Sequence, residues 1–235
     1  MWPFSSKTTL CKSDLLGGAT DCHTHLLPGV DDGFRTADDS LAALSRLEST
    51  GIRTVWLTPH IMEDIPNETD DLRRRFDEFA ALYNGPIELH LAAEHMLDNL
   101  FLERFEKKDV LPIFDDCLLV ETSYFNPPMG LDAILADIMT KGYRPLLAHP
   151  ERYKYMGEDD YERLHSRGVE FQLNLGALTG GYSPLTQKKA EYLLRRGYYS
   201  RIGSDIHSLR NLEKILTTPL STSSVSRVAN ILNNE

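Results

Sequence analysis

The sequence is poor in cysteine, with three in 235 residues, at positions 11, 22 and 117. An odd number spread this widely excludes a disulfide framework and predicts a reducing compartment, the cytoplasm by default. Six positions after these cysteines stand Gly17, Pro28 and Ser123. A cysteine nucleophile working on phosphate needs an arginine there, so that chemistry is excluded. No phosphate loop ending in Gly-Lys-Ser/Thr occurs either, which removes nucleotide-driven transfer. Long hydrophobic runs are missing, so no segment is expected to span a bilayer, and the N-terminus lacks the basic start and apolar stretch of a signal peptide. Positive charge is in deficit: 25 Lys and Arg face 35 Asp and Glu, a net charge of −10. That balance disfavours a nucleic-acid backbone as partner and suits a protein that binds cations.

What is present is a core-forming pattern. With 41% hydrophobic residues, the chain is long enough to bury one substantial core, and a single domain is the expectation. Short apolar runs alternate with amphipathic segments. Strands are predicted at 18–22, 52–58, 86–93, 117–122, 144–148, 169–174 and 200–204, and helices at 37–50, 69–84, 131–142 and 186–197, with a last helix after the Ser/Thr-rich 217–227. Leu41, Leu44 and Leu47, then Leu72, Phe76 and Phe79, then Leu131, Ile134, Leu135 and Ile138 recur at helical spacing and read as core. No internal repeat or long linker is visible. Alternation of this kind predicts parallel strands with right-handed crossovers, and about seven units favour a closed barrel of the TIM type over an open sheet.

Such a fold places its chemistry where the strands end, and the residues there are of the right kind. "DCHTHLLPGVDDG" puts His23 and His25 two apart at the end of the first strand, on one side of it, because strand side chains alternate with period two. His60 ends the second strand, Glu94 the third, Glu121 the fourth and His149 the fifth. Asn174 ends the sixth and is a weaker candidate, while Asp205 and His207 follow the seventh. Singly, each reads as well as a capping or loop residue. Together, five of the eight histidines accompanied by carboxylates form the ligand mixture of Zn, Mn or Fe sites.

The segments "DCHTHLLPGVDDG", "TPH", "AAEH", "LVETS", "AHPERY" and "GSDIH" resemble, in order and chemistry, the polymerase and histidinol phosphatase (PHP) superfamily. More narrowly they resemble its bacterial protein-tyrosine phosphatase branch, associated with capsule and exopolysaccharide biosynthesis. The resemblance covers about 19–217, so 1–18 is expected to be an N-terminal extension and 19–235 the phosphatase domain. It implies a distorted (β/α)7 TIM-like barrel holding three divalent metal ions, manganese, iron or zinc. It also implies one ion on His23, His25, Glu94 and Asp205, a second on Glu94, Glu121 and His149, and a third on Asp32, His60 and His207. Asp31 is expected to be structural. Arg152 matches the arginine that binds substrate phosphate, and Arg210 is a candidate second one, in a loop shorter than the usual pattern. The implied substrate is phosphotyrosine on a protein, a bacterial tyrosine kinase with a tyrosine-rich tail.

Several readings stay open in the sequence. Arg152 has the alternative of a surface ion pair with Glu151 or Glu158, worth at most about 1 kcal/mol. Tyr124, Phe125, Tyr153 and Tyr155 either flank a substrate ring or anchor loops. His90 and His165 are read as ordinary polar residues, and His95 as one that orients Glu94 at most. A phosphatase acting on histidinol phosphate or another small phosphomonoester uses the same ligands, and a non-catalytic metal-binding kinase regulator is the reading from a different class.

Overall fold

The computed structural model describes residues 7–233. In chain order the elements are β1 (Lys7–Thr8), β2 (Thr20–Thr24), α1 (Ala37–Glu48), β3 (Thr54–Leu57), β4 (His60–Ile61), α2 (Thr69–Ala80), β5 (Glu88–Leu91), β6 (Glu94–Met96), α3 (Asn99–Glu106) and β7 (Cys117–Glu121). There follow α4 (Leu131–Thr140), β8 (Arg144–Leu147), α5 (Glu158–Ser166), β9 (Glu170–Asn174), α6 (Leu175–Leu178), α7 (Pro184–Arg196), β10 (Tyr199–Gly203), α8 (Leu209–Thr217), β11 (Leu220–Ser221) and α9 (Thr222–Leu232). The local chemistry explains the boundaries. In α7, Ser183 caps the start by accepting from the amide of Thr186, Pro184 takes the first position, and Gly197 closes the end at φ 70°.

The seven expected strands are present, and two of them are broken. The second stops at Leu57 and resumes as β4 after Pro59, which has no amide to offer a ladder. The third stops at Leu91 and resumes as β6. The breaks move the chain from one sheet to another: β2, β3 and β5 form a three-stranded parallel sheet, whereas β4 and β6 join a six-stranded parallel sheet ordered β10-β9-β8-β7-β6-β4. Hydrogen bonds tie the two sheets together. The amide of Asp205 donates to His23 O (2.8 Å) and that of His25 to Ile206 O (3.2 Å), while the amide of Glu94 donates to Pro59 O (3.1 Å) at the start of the β4–β6 ladder. Gly203 is needed at the first of these junctions, since a Cβ there would lie 2.5 Å from His23 Cβ. A separate antiparallel pair joins β1 to β11.

Besides the single turn α6, three helices lie where no helix was expected: α3, α5 and α8. Each is only eight or nine residues long, too short for a periodic pattern to stand out. The expected helix over 69–84 ends at Ala80. Period-two alternation divides the core. Leu118 and Val120 of β7 face the main cluster beneath the helices, while Cys117 and Leu119 join Cys22, Trp56, Ile113 and Leu146 in a second buried cluster on the other face.

Candidate metal centre

Three of the ligand candidates, His60, Glu94 and Glu121, continue that second face at even spacing beyond Trp56, Ala92 and Leu119. In β7, Glu121 continues the column of Cys117 and Leu119, two residues apart each time. After the break at Pro59, His60 stands in direct register with Glu94 across β4 and β6, and β6 in turn sets Met96 opposite Glu121 of β7. His149 and Asp205 reach inward from left-handed backbone, at φ 35° and 52°. Non-glycine residues seldom adopt that conformation, and functional sites are where the strain is found.

Three groups of donor atoms converge: His23, His25, Glu94 and Asp205; His25, Asp32, His60 and His207; and His60, Glu94 and Glu121. Glu94 Oε2 is their hub. It lies 3.1 Å from His23 Nε2, 3.3 Å from His25 Nε2 and 3.2 Å from His60 Nδ1, yet no hydrogen bond reaches it. Glu121 Oε1, His60 Nδ1 and His149 Nδ1 are likewise buried without a hydrogen-bond partner. His149 Nε2 joins the cluster 2.8 Å from Glu94 Oε1 and 3.9 Å from Glu121 Oε2. Two ligands about 2.1 Å from one ion stand roughly 3–3.5 Å apart, so these separations fit a shared cation. His207 Nε2 stands 3.3 Å from Asp32 Oδ1, with the His25 and His207 rings stacked at 4.0 Å. The structure therefore adds His25 to the residues expected around Asp32, and brings His60 to Glu94 and Glu121.

A surrounding set of groups fixes which nitrogen faces the cluster. Gln172 donates its Nε2 to Leu173 O at 2.6 Å, so its Oε1 is the acceptor turned to His23 Nδ1 at 3.0 Å. His23 then carries a proton on Nδ1 and presents Nε2 inward. Asp31 does the same for His25, 2.8 Å from its Nδ1, and also accepts from the amides of His60 and Gly33. Gly33 is obligatory in that turn, because a Cβ would come within 2.3 Å of His25 O. His207 Nδ1 donates to Asp205 O at 3.0 Å.

Electrostatics match the geometry. Burial opposes charge on His23, but Glu94 and Asp205 outweigh it and raise the imidazole to about 9. Burial likewise opposes ionisation of Glu94 and Asp205, and the surrounding imidazoles nonetheless hold both well below the ordinary carboxylate range. A hydrogen bond from His207 lowers Asp32 to about 2. Buried negative charge this concentrated calls for compensating positive charge, whether protons or a cation.

Arg152 stands beside the cluster. Its guanidinium lies between the rings of Tyr124 and Tyr182, 4.4 Å from each centroid, and Nη1 donates to Asp205 Oδ2 at 2.7 Å. Asp205 is its partner, not Glu151 or Glu158. Glu151 is buried and accepts from the Asn174 amide and the Tyr199 hydroxyl. Asn174 Nδ2 also donates to Asp205 Oδ2, at 2.7 Å. Tyr153 is a buried anchor whose hydroxyl donates to Ala148 O, Tyr155 bonds Thr122, and Phe125 is exposed under Lys154. Arg210 is exposed in the first turn of α8. His95 does not orient Glu94: as the next residue along β6 it points to the opposite face, where its Nε2 accepts from the amide of Leu111, and burial lowers it to about 4. His90 stacks on Trp56 and His165 on Tyr198.

Sequence reasoning passed over Gln172 and Tyr182. Gln172 had a signal, since it shares a strand face with Asn174. Tyr182 had none, because it arrives from the loop between α6 and α7.

The family described as "Capsular polysaccharide synthesis, CpsB/CapC" matches residues 19–220. The chain belongs to it. Among curated relatives, the tyrosine-protein phosphatase YwqE of Bacillus subtilis is 27% identical over 197 residues, covering 81% of this chain and 78% of the relative. The tyrosine-protein phosphatase CpsB of Streptococcus pneumoniae is 27% identical over 210 residues, covering 80% and 83%. A solved structure from work on these two proteins, described there as unique metal-dependent tyrosine phosphatases, superposes with a TM-score of 0.71 at 22% identity, covering 92% of this chain and 88% of its own. That likeness carries the fold: parallel α/β sheets in this member of the CpsB/CapC family are arranged as in those proteins.

Proposed function

We propose that this protein is a metal-dependent protein-tyrosine phosphatase acting on a bacterial tyrosine kinase in capsule or exopolysaccharide production. The observation that carries the reading is Glu94 Oε2, buried, without a hydrogen bond and ringed by three imidazole nitrogens. A cation fits such a donor set and satisfies the orphaned atoms around it. Membership of the CpsB/CapC family and the names of the relatives support the substrate class. His23, His25, Glu94 and Asp205 would hold one ion, Glu94, Glu121 and His149 a second, and Asp32, His60 and His207 a third, with manganese, iron or zinc suited to these donors. Bound divalent ions supply acidified water and neutralise charge on a phosphoryl group undergoing in-line displacement.

The chain's own residues do the rest. Gln172 and Asp31 hold the Nδ1 atoms of His23 and His25, so both rings turn Nε2 toward the ion they would bind. Packed against the rings of Tyr124 and Tyr182, Arg152 offers a planar guanidinium of the kind that grips phosphate oxygens in pairs. The hydrogen bonds from β10 to β2 and from Glu94 to Pro59 support a distorted seven-unit barrel that seats the site at its strand ends. The phosphatase domain is taken as 19–235, with 1–18 an extension; the pairing of β1 with β11 and the burial of Leu10 and Leu16 favour an extension folded onto that domain. No helix among the described residues is long and apolar enough to cross a membrane. The small, odd number of cysteines, three in 235 residues, supports a cytoplasmic location.

The test measures hydrolysis of a phosphotyrosine peptide and of histidinol phosphate by metal-loaded and chelated protein, beside a variant with all three cysteines changed to alanine. Peptide turnover that disappears on chelation and persists in the folded cysteine-free variant is the expected result. A folded, metal-loaded but inactive cysteine-free variant sinks the mechanism, and preference for histidinol phosphate sinks the substrate class.

A further inference from the structure

Next to His207, and outside the ligand cluster, an open cleft of about 380 Å³ is lined by Phe34, Arg35, Asp39, His207, Leu209 and Arg210. Both arginines are exposed, and neither forms an ion pair with a described residue. Their positions run against local preference. Arg35 directly precedes Thr36, the cap of α1, and Arg210 occupies the first turn of α8. Both lie at the positive ends of helices, where a carboxylate is favoured and a cation is not. Two helix N-termini and two guanidinium groups thus converge on one cavity in a chain whose net charge is −10. The single carboxylate of the cleft, on Asp39, is already engaged by the Thr36 hydroxyl at 2.8 Å. The walls are also firmly placed: the buried Phe34 ties its amide to His25 O at 3.1 Å, and Ser208 caps α8 by accepting from the amide of Asn211.

We propose that this cleft is a subsite for an anionic side chain flanking the phosphotyrosine on the same peptide, a carboxylate or a second phosphate. The proposal rests on the phosphatase reading above and names the kind of peptide that the site prefers. Arg35 and Arg210 contact the flanking anion, and His207 links the cleft to the ligand cluster. Because the contacts are charge pairs at an open surface, they act on substrate capture and are screened by salt.

The test compares kcat and KM of the metal-loaded full chain on four substrates: p-nitrophenyl phosphate, which has no flank, and phosphotyrosine peptides flanked by alanine, by glutamate or by a second phosphotyrosine. The parent should favour the anionic flanks. Arg35→Ala should raise KM for those peptides about 3- to 5-fold, as expected for one exposed charge pair, with kcat and the p-nitrophenyl phosphate reaction unchanged. Adding Arg210→Ala should abolish the preference, Arg35→Lys should restore most of it, and 1 M salt should erase it in the parent. A larger effect on one anionic flank than the other identifies the preferred anion. A parent indifferent to the flank, or an Arg35→Ala effect equal on all four substrates, overturns the proposal. Failure to hydrolyse any ester strikes the phosphatase reading instead; affinities of the same peptides then decide the cleft, and equal binding of acidic and alanine flanks overturns it.

Discussion

Leu119 and Glu121 are two residues apart on one face of β7, and they belong to opposite kinds of environment. Leu119 sits in an apolar layer with Cys22, Trp56, Ala92 and Leu146. Glu121, one step nearer the strand end, faces His60 and His149. The backbone directs both side chains alike, so the change of chemistry comes from side-chain choice alone. The apolar layer gains from burial and contact. The ligand layer leaves Glu94 Oε2, Glu121 Oε1, His60 Nδ1 and His149 Nδ1 buried without hydrogen bonds, each at a cost of about 1–3 kcal/mol. Two of its members also hold left-handed backbone. One layer stabilises the fold, and the other spends that stability on a site for positive charge.

The largest expected effect comes from breaking the two layers separately. Glu94→Gln keeps the shape of the hub and removes its charge. It should lose bound metal and on the order of 1,000-fold in phosphotyrosine hydrolysis, about 4 kcal/mol, while the metal-free protein unfolds in denaturant no earlier than the parent. Leu119→Ala should do the reverse, with a stability loss of about 2–5 kcal/mol and activity per folded, metal-loaded molecule close to the parent. Metal content, kinetics and denaturant unfolding on the same preparations check the pair. Two variants that both lose stability and activity would erase the distinction between the layers.

The sequence exposes this site because its ligands come at strand ends, in segments such as "CHTH" and "GSDIH" where the apolar pattern stops abruptly. His60 and Glu94 are legible as residues, but their direct pairing is not. It depends on Pro59 ending β3 and on the chain crossing between sheets, a tertiary event with no periodic signature. The helices α3, α5 and α8 hide for a similar reason, since their short amphipathic stretches are rich in charge. Tyr182 reaches Arg152 from a loop, through a contact that only the folded chain makes. His95 misleads by adjacency, because neighbours along a strand face opposite ways.

Arg152 sharpens the boundary of the ligand layer, since it touches Asp205 without being a ligand. Arg152→Ala should retain near-normal metal content and lose on the order of 100-fold in kcat/KM, about 3 kcal/mol of transition-state stabilisation. Arg152→Lys should fall between, keeping the charge but not the planar fork held between Tyr124 and Tyr182. Steady-state hydrolysis of a phosphotyrosine peptide checks it. An alanine variant as fast as the parent would remove Arg152 from phosphate binding, and one that loses its metal would place it inside the ligand layer.

The smallest expected effect concerns Glu151, a buried carboxyl outside both layers. Burial pushes it up to about 7 from its ordinary 4.5, against hydrogen bonds from its own amide, the Asn174 amide and the Tyr199 hydroxyl, and against the charge of Arg152. The sign follows from linkage. A group whose folded pKa is raised contributes stability that is complete below about 4.5 and is lost as pH rises through about 7, where folding must bury the charge. Glu151→Gln stays neutral throughout and still offers an oxygen to the Asn174 amide. Between pH 5 and 8 the metal-free parent should therefore lose about 1–2 kcal/mol more stability than the variant. Denaturant unfolding of both chains across that range measures the difference, and subtracting the curves removes the titrations they share. Parallel curves would mean that Glu151 is charged in the folded protein across the whole range, with Arg152 compensating it as well as Asp205.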